Sequence, residues 1–186
     1  MESYLCHPPL YYTLMAITSP YTRATYRYTP LLALMLTPNE YIHPAFGKIL
    51  FSVADVLIPV VLREVHPESQ AWLAVLWLFN PMPANIATRG SAESILGLLV
   101  CATLLAASKK KWFIAAVLLG VSVHFKIYPF ICGFSLLFAI DDHHPLSKES
   151  KTAWSWVGWM TNAQRIHLFL RSAAAFLILS GAMYLM

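Results

Sequence analysis

The residues best suited to chemistry lie in one polar stretch between two apolar segments, Asn80 to Ser94, with the sequence NPMPANIATRGSAES. If the flanking segments cross a membrane, non-helical polar backbone here must line a cavity or meet water. Arg89 and Glu93 are four residues apart and would share one face of a helix that begins just before them. Gly90 would let the backbone approach a ligand closely. We therefore expect a binding site here.

A second pair of cations lies in the segment SPYTRATYRYTP near the start of the chain. Arg23 and Arg27 are four residues apart, so on a helix they form one cationic face. Tyr21, Tyr26 and Tyr28 are typical of a membrane interface, where the ring is buried and the hydroxyl meets water. Two interpretations stay open: a clamp for the phosphate of an anionic lipid, and an ordinary interfacial anchor.

Two further basic groups, His124 and Lys126, interrupt an apolar run shortly before Pro129. One helix over the whole run would be about 43 Å long, too long for one crossing. We therefore predict a break between His124 and Pro129. Lys126 is a candidate phosphate stabiliser, and His124 a possible proton or hydrogen-bond donor.

Lys48, Ser52 and Asp55 fall on one stripe of an apolar helix and form a candidate polar support for the site. A carboxylate within a membrane span is costly unless it faces a bundle interior or a wet cavity. Asp55 is therefore open to three roles: a catalytic group, a cation ligand, or a hydrogen-bond partner for a neighbouring helix.

Composition places the chain among multi-pass membrane proteins, with 58% hydrophobic and 12% charged residues in 186. The net charge of +4 comes from scattered basic residues, which fit lipid phosphates better than nucleic acid. The three cysteines lack disulfide or metal spacing, and we expect them to be packing residues. The run Asp141 to His144 is predicted to be a solvated loop, so no metal site is expected.

We predict a single all-α membrane domain over residues 1–186, a fragment of a longer protein because no anchoring helix opens the chain. Residues 1–45 form a lumenal or interfacial segment, and about six apolar segments follow: Phe46–Leu62, Ala71–Phe79, Ala92–Ser108, Trp112–Phe125, the run up to Ile140, and Ile166–Met186. The triplet Lys109 to Lys111 predicts a cytoplasmic loop. Alternation then places the basic groups near the opposite face: Arg23, Arg27, Arg89, His124 and Lys126.

Four short motifs, taken together and in order, resemble one family. They are Ser19-Pro20-Tyr21 with Arg23 and Thr25 to Pro30; Phe46-Gly47-Lys48 leading to Asp55; Asn80-Pro81 with Thr88 to Ser94; and His124 to Pro129. Each motif alone is weak, but the series is specific. The chain resembles the catalytic subunit of glycosylphosphatidylinositol (GPI) mannosyltransferase I, the PIG-M family.

The resemblance implies part of a GT-C type glycosyltransferase, a transmembrane helix bundle of the endoplasmic reticulum with its active face in the lumen. Such an enzyme transfers the first mannose from dolichyl-phosphate mannose to glucosaminyl-phosphatidylinositol in an α1,4 link. It implies a small membrane partner of the PIG-X or Pbn1 type and no nucleotide sugar or soluble cofactor. Transfer from a phosphate needs positive charge at the leaving group, a role suited to Arg23, Arg27, Arg89 and Lys126. Glu93 would then orient Arg89 or a sugar hydroxyl.

One departure from the family concerns the acidic D-x-D motif that precedes the position of Ser19 in its members. The residues before Ser19 contain Glu2 and no aspartate, so no catalytic base is placed. An alternative function is therefore a catalytically inactive truncated isoform or a non-catalytic membrane assembly subunit. A small transporter is a third possibility, but it would show inverted repeats, and none is found.

Overall fold

The computed structural model describes residues 29–65, 70–140 and 162–185, and every regular element within these ranges is an α-helix. The helices are α1 (Pro30–Leu36), α2 (Pro38–Tyr41), α3 (Phe46–Val65), α4 (Gln70–Leu78), α5 (Pro81–Thr88), α6 (Glu93–Ser108), α7 (Trp112–Phe125), α8 (Phe130–Ala139) and α9 (Ala163–Tyr184). The all-α prediction is therefore confirmed for the described ranges. Arg23, Arg27 and the run Asp141 to His144 lie outside them.

One helix of the described ranges, α9, is long and apolar enough to cross a membrane by itself. Its 22 residues extend over about 33 Å, close to the thickness of the hydrocarbon layer. The apolar helices α6, α7 and α8 are shorter, with 10 to 16 residues each. The multi-pass arrangement with about six crossings stays a prediction.

The first core lies where α3 packs against α6. Phe51 and Ala54 of α3 meet Ile95 and Leu96 of α6, and all four side chains are buried. Leu32 of α1 belongs to the same cluster, so this short helix is held against the bundle. Burial of apolar surface is the main stabilising force of such a cluster away from lipid, and close packing takes over within lipid.

Helices α6 and α7 form an antiparallel hairpin whose turn contains the lysine triplet. Lys110 adopts a positive φ of 55° in this turn, and the backbone N–H of Lys111 donates to the carbonyl of Ala106. The hairpin therefore places the triplet at one end and the pair Glu93 and Phe125 at the other. On the far side, α7 packs closely against α9.

The break predicted between His124 and Pro129 is confirmed, because α7 ends at Phe125 and α8 begins at Phe130. The prediction of non-helical backbone from Asn80 to Ser94 is wrong over most of its length, since α5 occupies Pro81–Thr88 and α6 begins at Glu93. Proline is well tolerated in the first turn of a helix, where its missing N–H has no intrahelical partner. The Asn80 side chain accepts a hydrogen bond from the Met82 N–H at 3.0 Å and caps this start.

Candidate functional site

The candidate site is built around one carboxylate at the start of α6. Glu93 is the first residue of the helix, and its Oε1 forms an ion pair with Nζ of Lys126, which directly follows α7. The Tyr128 hydroxyl donates a hydrogen bond to Oε2 of the same carboxylate, with 3.4 Å between the two oxygens. The N-terminus of α6 and the loop between α7 and α8 are therefore joined through Glu93.

Two sources of positive charge lie beside the Glu93 carboxylate. A carboxylate in the first turn of a helix is stabilised by the partial positive charge of the unpaired backbone N–H groups. Lys126 adds a full positive charge, although both side chains are about one-third exposed, so water weakens the attraction. Burial raises the pKa of the Tyr128 phenol, and the negative charge of Glu93 and the hydrogen bond to it act in the same direction. Tyr128 therefore stays protonated at neutral pH and remains a donor.

Arg89 lies beside this cluster with its guanidinium exposed. It lines an open, largely polar cavity of about 360 Å³ together with Ile86, Gly90, Ser91 and Glu93. Within the described ranges its side chain forms no ion pair. Arg89 shares this cavity with Glu93, and Lys126 pairs with the same carboxylate.

Two details of the expected arrangement are wrong. Arg89 and Glu93 do not share a helix face, because α5 ends at Thr88 and α6 begins at Glu93. Gly90 adopts a φ of +80°, a conformation that interrupts the helix between them. Glu93 pairs with Lys126 rather than orienting Arg89, so the arginine keeps its donors available.

Lys48 approaches the same turn from α3. A Cβ atom built on Gly90 would lie 3.7 Å from Cγ of Lys48, so the aliphatic stem of the lysine packs beside the glycine. Lys48 and Ser52 also line an open, mostly apolar groove of about 520 Å³ that reaches Thr88. Residues at the turn between α5 and α6 therefore line two concave surfaces: a polar cavity that includes Arg89 and an apolar groove that includes Lys48.

His124 does not join this cluster. Its side chain is buried between α7 and α9, with Nδ1 at 3.2 Å from Oγ of Ser180 and its ring edge against Phe176. Nε2 is buried without a hydrogen-bond partner in the described ranges. The proximity of His124 to Lys126 in the sequence does not bring them together, because α7 ends between them and the chain turns away.

Asp55 takes one of the three roles left open by the sequence. Its Oδ2 accepts a hydrogen bond at 3.0 Å from Oγ of Ser94 on α6, and both side chains are buried. The indole of Trp77 lies close to the same carboxylate but does not complete a hydrogen bond. Asp55 therefore bonds to a neighbouring helix, while Lys48 and Ser52, which precede it on the same helix, line the groove.

Tyr128 is the site residue that sequence reasoning missed. It lies within the motif His124 to Pro129, but the sequence alone indicates no role for it. Its nearness to Glu93, 35 residues earlier, depends on the pairing of α6 with α7. In the described ranges no group of three His, Cys, Asp or Glu side chains could hold a metal ion.

Comparison with known proteins decides the family. The family described as mannosyltransferase (PIG-M) matches residues 86–186, more than half of the chain, and the match includes Arg89, Glu93, Lys126 and Tyr128. This chain belongs to the PIG-M mannosyltransferase family.

Curated relatives agree with this assignment. GPI mannosyltransferase 1 of Dictyostelium discoideum is 41% identical over 181 residues, which cover 90% of this chain and 41% of the relative. GPI mannosyltransferase 1 of Gibberella zeae is 48% identical and covers 73% of this chain and 33% of its own length. GPI alpha-1,4-mannosyltransferase I, catalytic subunit, of Danio rerio is 46% identical over a match that covers 66% of this chain and 33% of the relative.

The chain therefore spans less than half the length of these curated relatives. No solved structure matches it significantly. The family membership concerns sequence, whereas the geometry of the site comes from the described residues alone.

Proposed function

We propose that this PIG-M family chain takes part in transferring the first mannose from dolichyl-phosphate mannose to glucosaminyl-phosphatidylinositol in an α1,4 link. The observation that carries the proposal is the exposed Arg89, which lines a polar cavity with Glu93, the ion-pair partner of Lys126, in a chain of this family. The names of the relatives support a role in GPI mannosylation, and the name of the Danio rerio relative supports the α1,4 link. The donor lipid is what the family resemblance implies, and the cationic site supports a donor that carries phosphate.

The chemistry needs a cation at one point. The bond between mannose C1 and the donor phosphate oxygen breaks, and a new bond forms between C1 and an acceptor hydroxyl oxygen. The leaving phosphate gains negative charge, which a planar, always charged guanidinium can stabilise with two parallel hydrogen bonds. Arg89 has these donors free within the described ranges, whereas Lys126 supplies a second positive charge held in place by Glu93.

The acceptor hydroxyl must also lose a proton, and the proposal assigns no described residue to that step. Asp55 is unsuited to it, because its carboxylate is buried and occupied by Ser94. Glu93 already accepts from Lys126 and Tyr128, which suits a role in binding a sugar hydroxyl or holding the loop. The proposal keeps Arg23 and Arg27 as further phosphate ligands and needs no soluble cofactor.

The proposed setting is the endoplasmic reticulum membrane, with the site on the lumenal side. The positively charged triplet at the other end of the α6–α7 hairpin supports this orientation, because short loops rich in lysine stay cytoplasmic. A small membrane partner of the PIG-X or Pbn1 type is part of the proposal. The fish relative's name, which calls it a catalytic subunit, supports the existence of a partner.

Restoration of GPI anchors in cells that lack the first mannosyl step tests the proposal. The 186-residue chain and a version extended upstream to the length of its relatives are expressed in these cells. GPI-anchored proteins at the cell surface are then counted by flow cytometry. In whichever version restores anchors, we expect Arg89→Ala to lower mannosyl transfer by about 100-fold, the usual effect of removing one donor to a developing anion. Arg89→Lys should recover only part of this loss, because it lacks the second donor.

Arg171→Ala is the matched control. Arg171 lies on α9, with its guanidinium carbon 5.3 Å from the ring centre of Phe113. Phe113 is at the start of α7, about 20 Å along that helix from Lys126. The control variant should keep its activity and its level in the membrane. Full activity of Arg89→Ala would remove Arg89 from the site. Failure of both versions to restore anchors would instead favour a non-catalytic role.

A further inference from the structure

We propose that Asp55 is a positioning residue: through Ser94 it fixes the rotation of α6 and so holds Glu93 against Lys126. Asp55 lies on α3, Ser94 is the second residue of α6, and Glu93 is the residue before it. The positioning role follows from the contacts of Asp55, Ser94 and Glu93. Its consequence for activity rests on the proposed function.

The helix geometry connects the two contacts. Neighbouring residues of an α-helix point about 100° apart around its axis. When Ser94 faces Asp55, the preceding Glu93 side chain is turned away from α3 and toward the loop that carries Lys126 and Tyr128. A rotation of α6 that breaks the first contact would also swing Glu93 away from its partners.

The hydrogen bond between Asp55 and Ser94 fixes α6 strongly because both residues are buried. Asp55 is 8% exposed and Ser94 is 3% exposed, so neither finds water if the bond between them breaks. A buried carboxylate without a hydrogen-bond partner is strongly disfavoured, and a bond to a charged acceptor is stronger than one between neutral groups. By contrast, the ion pair of Glu93 and Lys126 is about one-third exposed and holds α6 only weakly by itself. The buried hydrogen bond between Asp55 and Ser94 therefore determines whether Glu93 stays against Lys126.

A zero-length carbodiimide cross-link measures this arrangement without any assay of activity, because it joins a carboxylate to an amine only when the two are in contact. In membranes containing the full chain, we expect an amide between Glu93 and Lys126, identified by mass spectrometry. Asp55→Ala and Ser94→Ala should each lower its yield by about tenfold, the factor expected for a lost hydrogen bond to a charged group. Asp55→Asn should keep the yield, since its carbonyl oxygen still accepts from Ser94.

Two controls separate this effect from general unpacking. Ser122→Ala makes the same change as Ser94→Ala at a buried site, but the Ser122 hydroxyl bonds at 2.7 Å to Leu118 within its own helix. In Ser122→Ala the yield of the cross-link between Glu93 and Lys126 should be unchanged. The second control is the ion pair of Lys109 and Glu64, 3.1 Å apart at the other end of α3 and α6, whose cross-link should persist in every variant.

Three results would overturn the proposal: an unchanged yield in Asp55→Ala and Ser94→Ala, a loss in Asp55→Asn as large as in Asp55→Ala, or a parallel loss at Lys109 and Glu64. In a version that restores anchors, Asp55→Ala should also slow mannosyl transfer, and Asp55→Asn should rescue it. If the wild-type chain gives the expected cross-links but no version transfers mannose, the proposed function fails and the positioning role stands.

Discussion

At the residue scale, the turn between α5 and α6 decides how the cations are presented. Arg89 precedes Gly90, and the φ of +80° at that glycine directs the chain from the end of α5 into Ser91 and the start of α6. A continuous helix here would carry Arg89 and Glu93 on one face and pair them. The left-handed residue prevents this and leaves Arg89 facing the cavity.

Replacing Gly90 tests this dependence. In Gly90→Ala the new Cβ has room, since its nearest contact is Lys48 Cγ at 3.7 Å, so the cost is backbone strain alone. We expect a loss of about 1–2 kcal/mol in the free energy of unfolding, or a shift of the turn that moves Arg89 and lowers transfer. Thermal unfolding of the protein in detergent, together with the cell assay, measures both.

Gly90→Asn serves as the comparison, because asparagine enters the left-handed region more easily than alanine does. It should recover most of the stability lost in Gly90→Ala. Equal losses in the two variants would mean that the side chain, rather than the backbone conformation, causes the effect.

At the element scale, the sequence predicts the apolar helices well, because prolines and charges mark where they end. The helix α7 and its break before Pro129 follow directly from apolar length and from Lys126. The helix α5 was missed because two prolines, Pro81 and Pro83, indicate a break, although both fit the first turn of a helix.

The partners across helices could not be predicted in the same way. Glu93 has Arg89 four residues away, yet it pairs with Lys126, 33 residues away. Asp55 and Ser94 are 39 residues apart, and their contact depends on the rotation of α3 and α6 that packing selects. Local spacing identifies the candidate cations and carboxylates. It does not say which of them meet, because that depends on packing between helices far apart in sequence.

The packing of α7 against α9 provides a prediction at this scale. A Cβ atom added to Gly120 would lie 2.4 Å from the carbonyl oxygen of Ser172 and 2.8 Å from Cβ of Ala175. Because the first of these is backbone, the helices must move apart, and small residues at helix contacts in membranes serve this close approach. We expect Gly120→Ala to lower the free energy of unfolding by about 1–3 kcal/mol.

Gly181→Ala is the control for that substitution. Gly181 is also helical, on α9, but nothing lies within 4 Å of its added Cβ. The variant should be neutral or slightly more stable, because alanine favours a helix over glycine. Thermal unfolding in detergent compares the two, and a similar effect of both substitutions would contradict the close contact at Gly120.

At the scale of the whole molecule, the α6–α7 hairpin separates two charged regions. The site lies at one end, where Glu93 meets Lys126, and the lysine triplet lies at the other, where Lys109 pairs with Glu64. The 16 residues of α6 extend over about 24 Å, slightly less than the hydrocarbon thickness, so polar groups at its two ends can reach opposite interfaces.

This separation predicts opposite accessibility across the membrane. In sealed microsomes, an impermeant thiol reagent should label Lys110→Cys from the outside, whereas Ser91→Cys should react only after the membrane is opened. The native cysteines are first replaced by serine, and a version of each variant that still restores GPI anchors is used. Ser91 lines the cavity of Arg89, so its labelling reports the side of the site.

The same experiment decides between two arrangements of the bundle. If α6 and α7 cross the membrane as a hairpin, positively charged short loops hold the lysine end in the cytoplasm and direct the phosphate-binding end to the lumen. Labelling of both cysteines in sealed microsomes would mean that the hairpin does not cross, and a lumenal site at Arg89 would then be excluded. Labelling of Ser91→Cys alone would reverse the orientation and place the mannosyl donor on the cytoplasmic face.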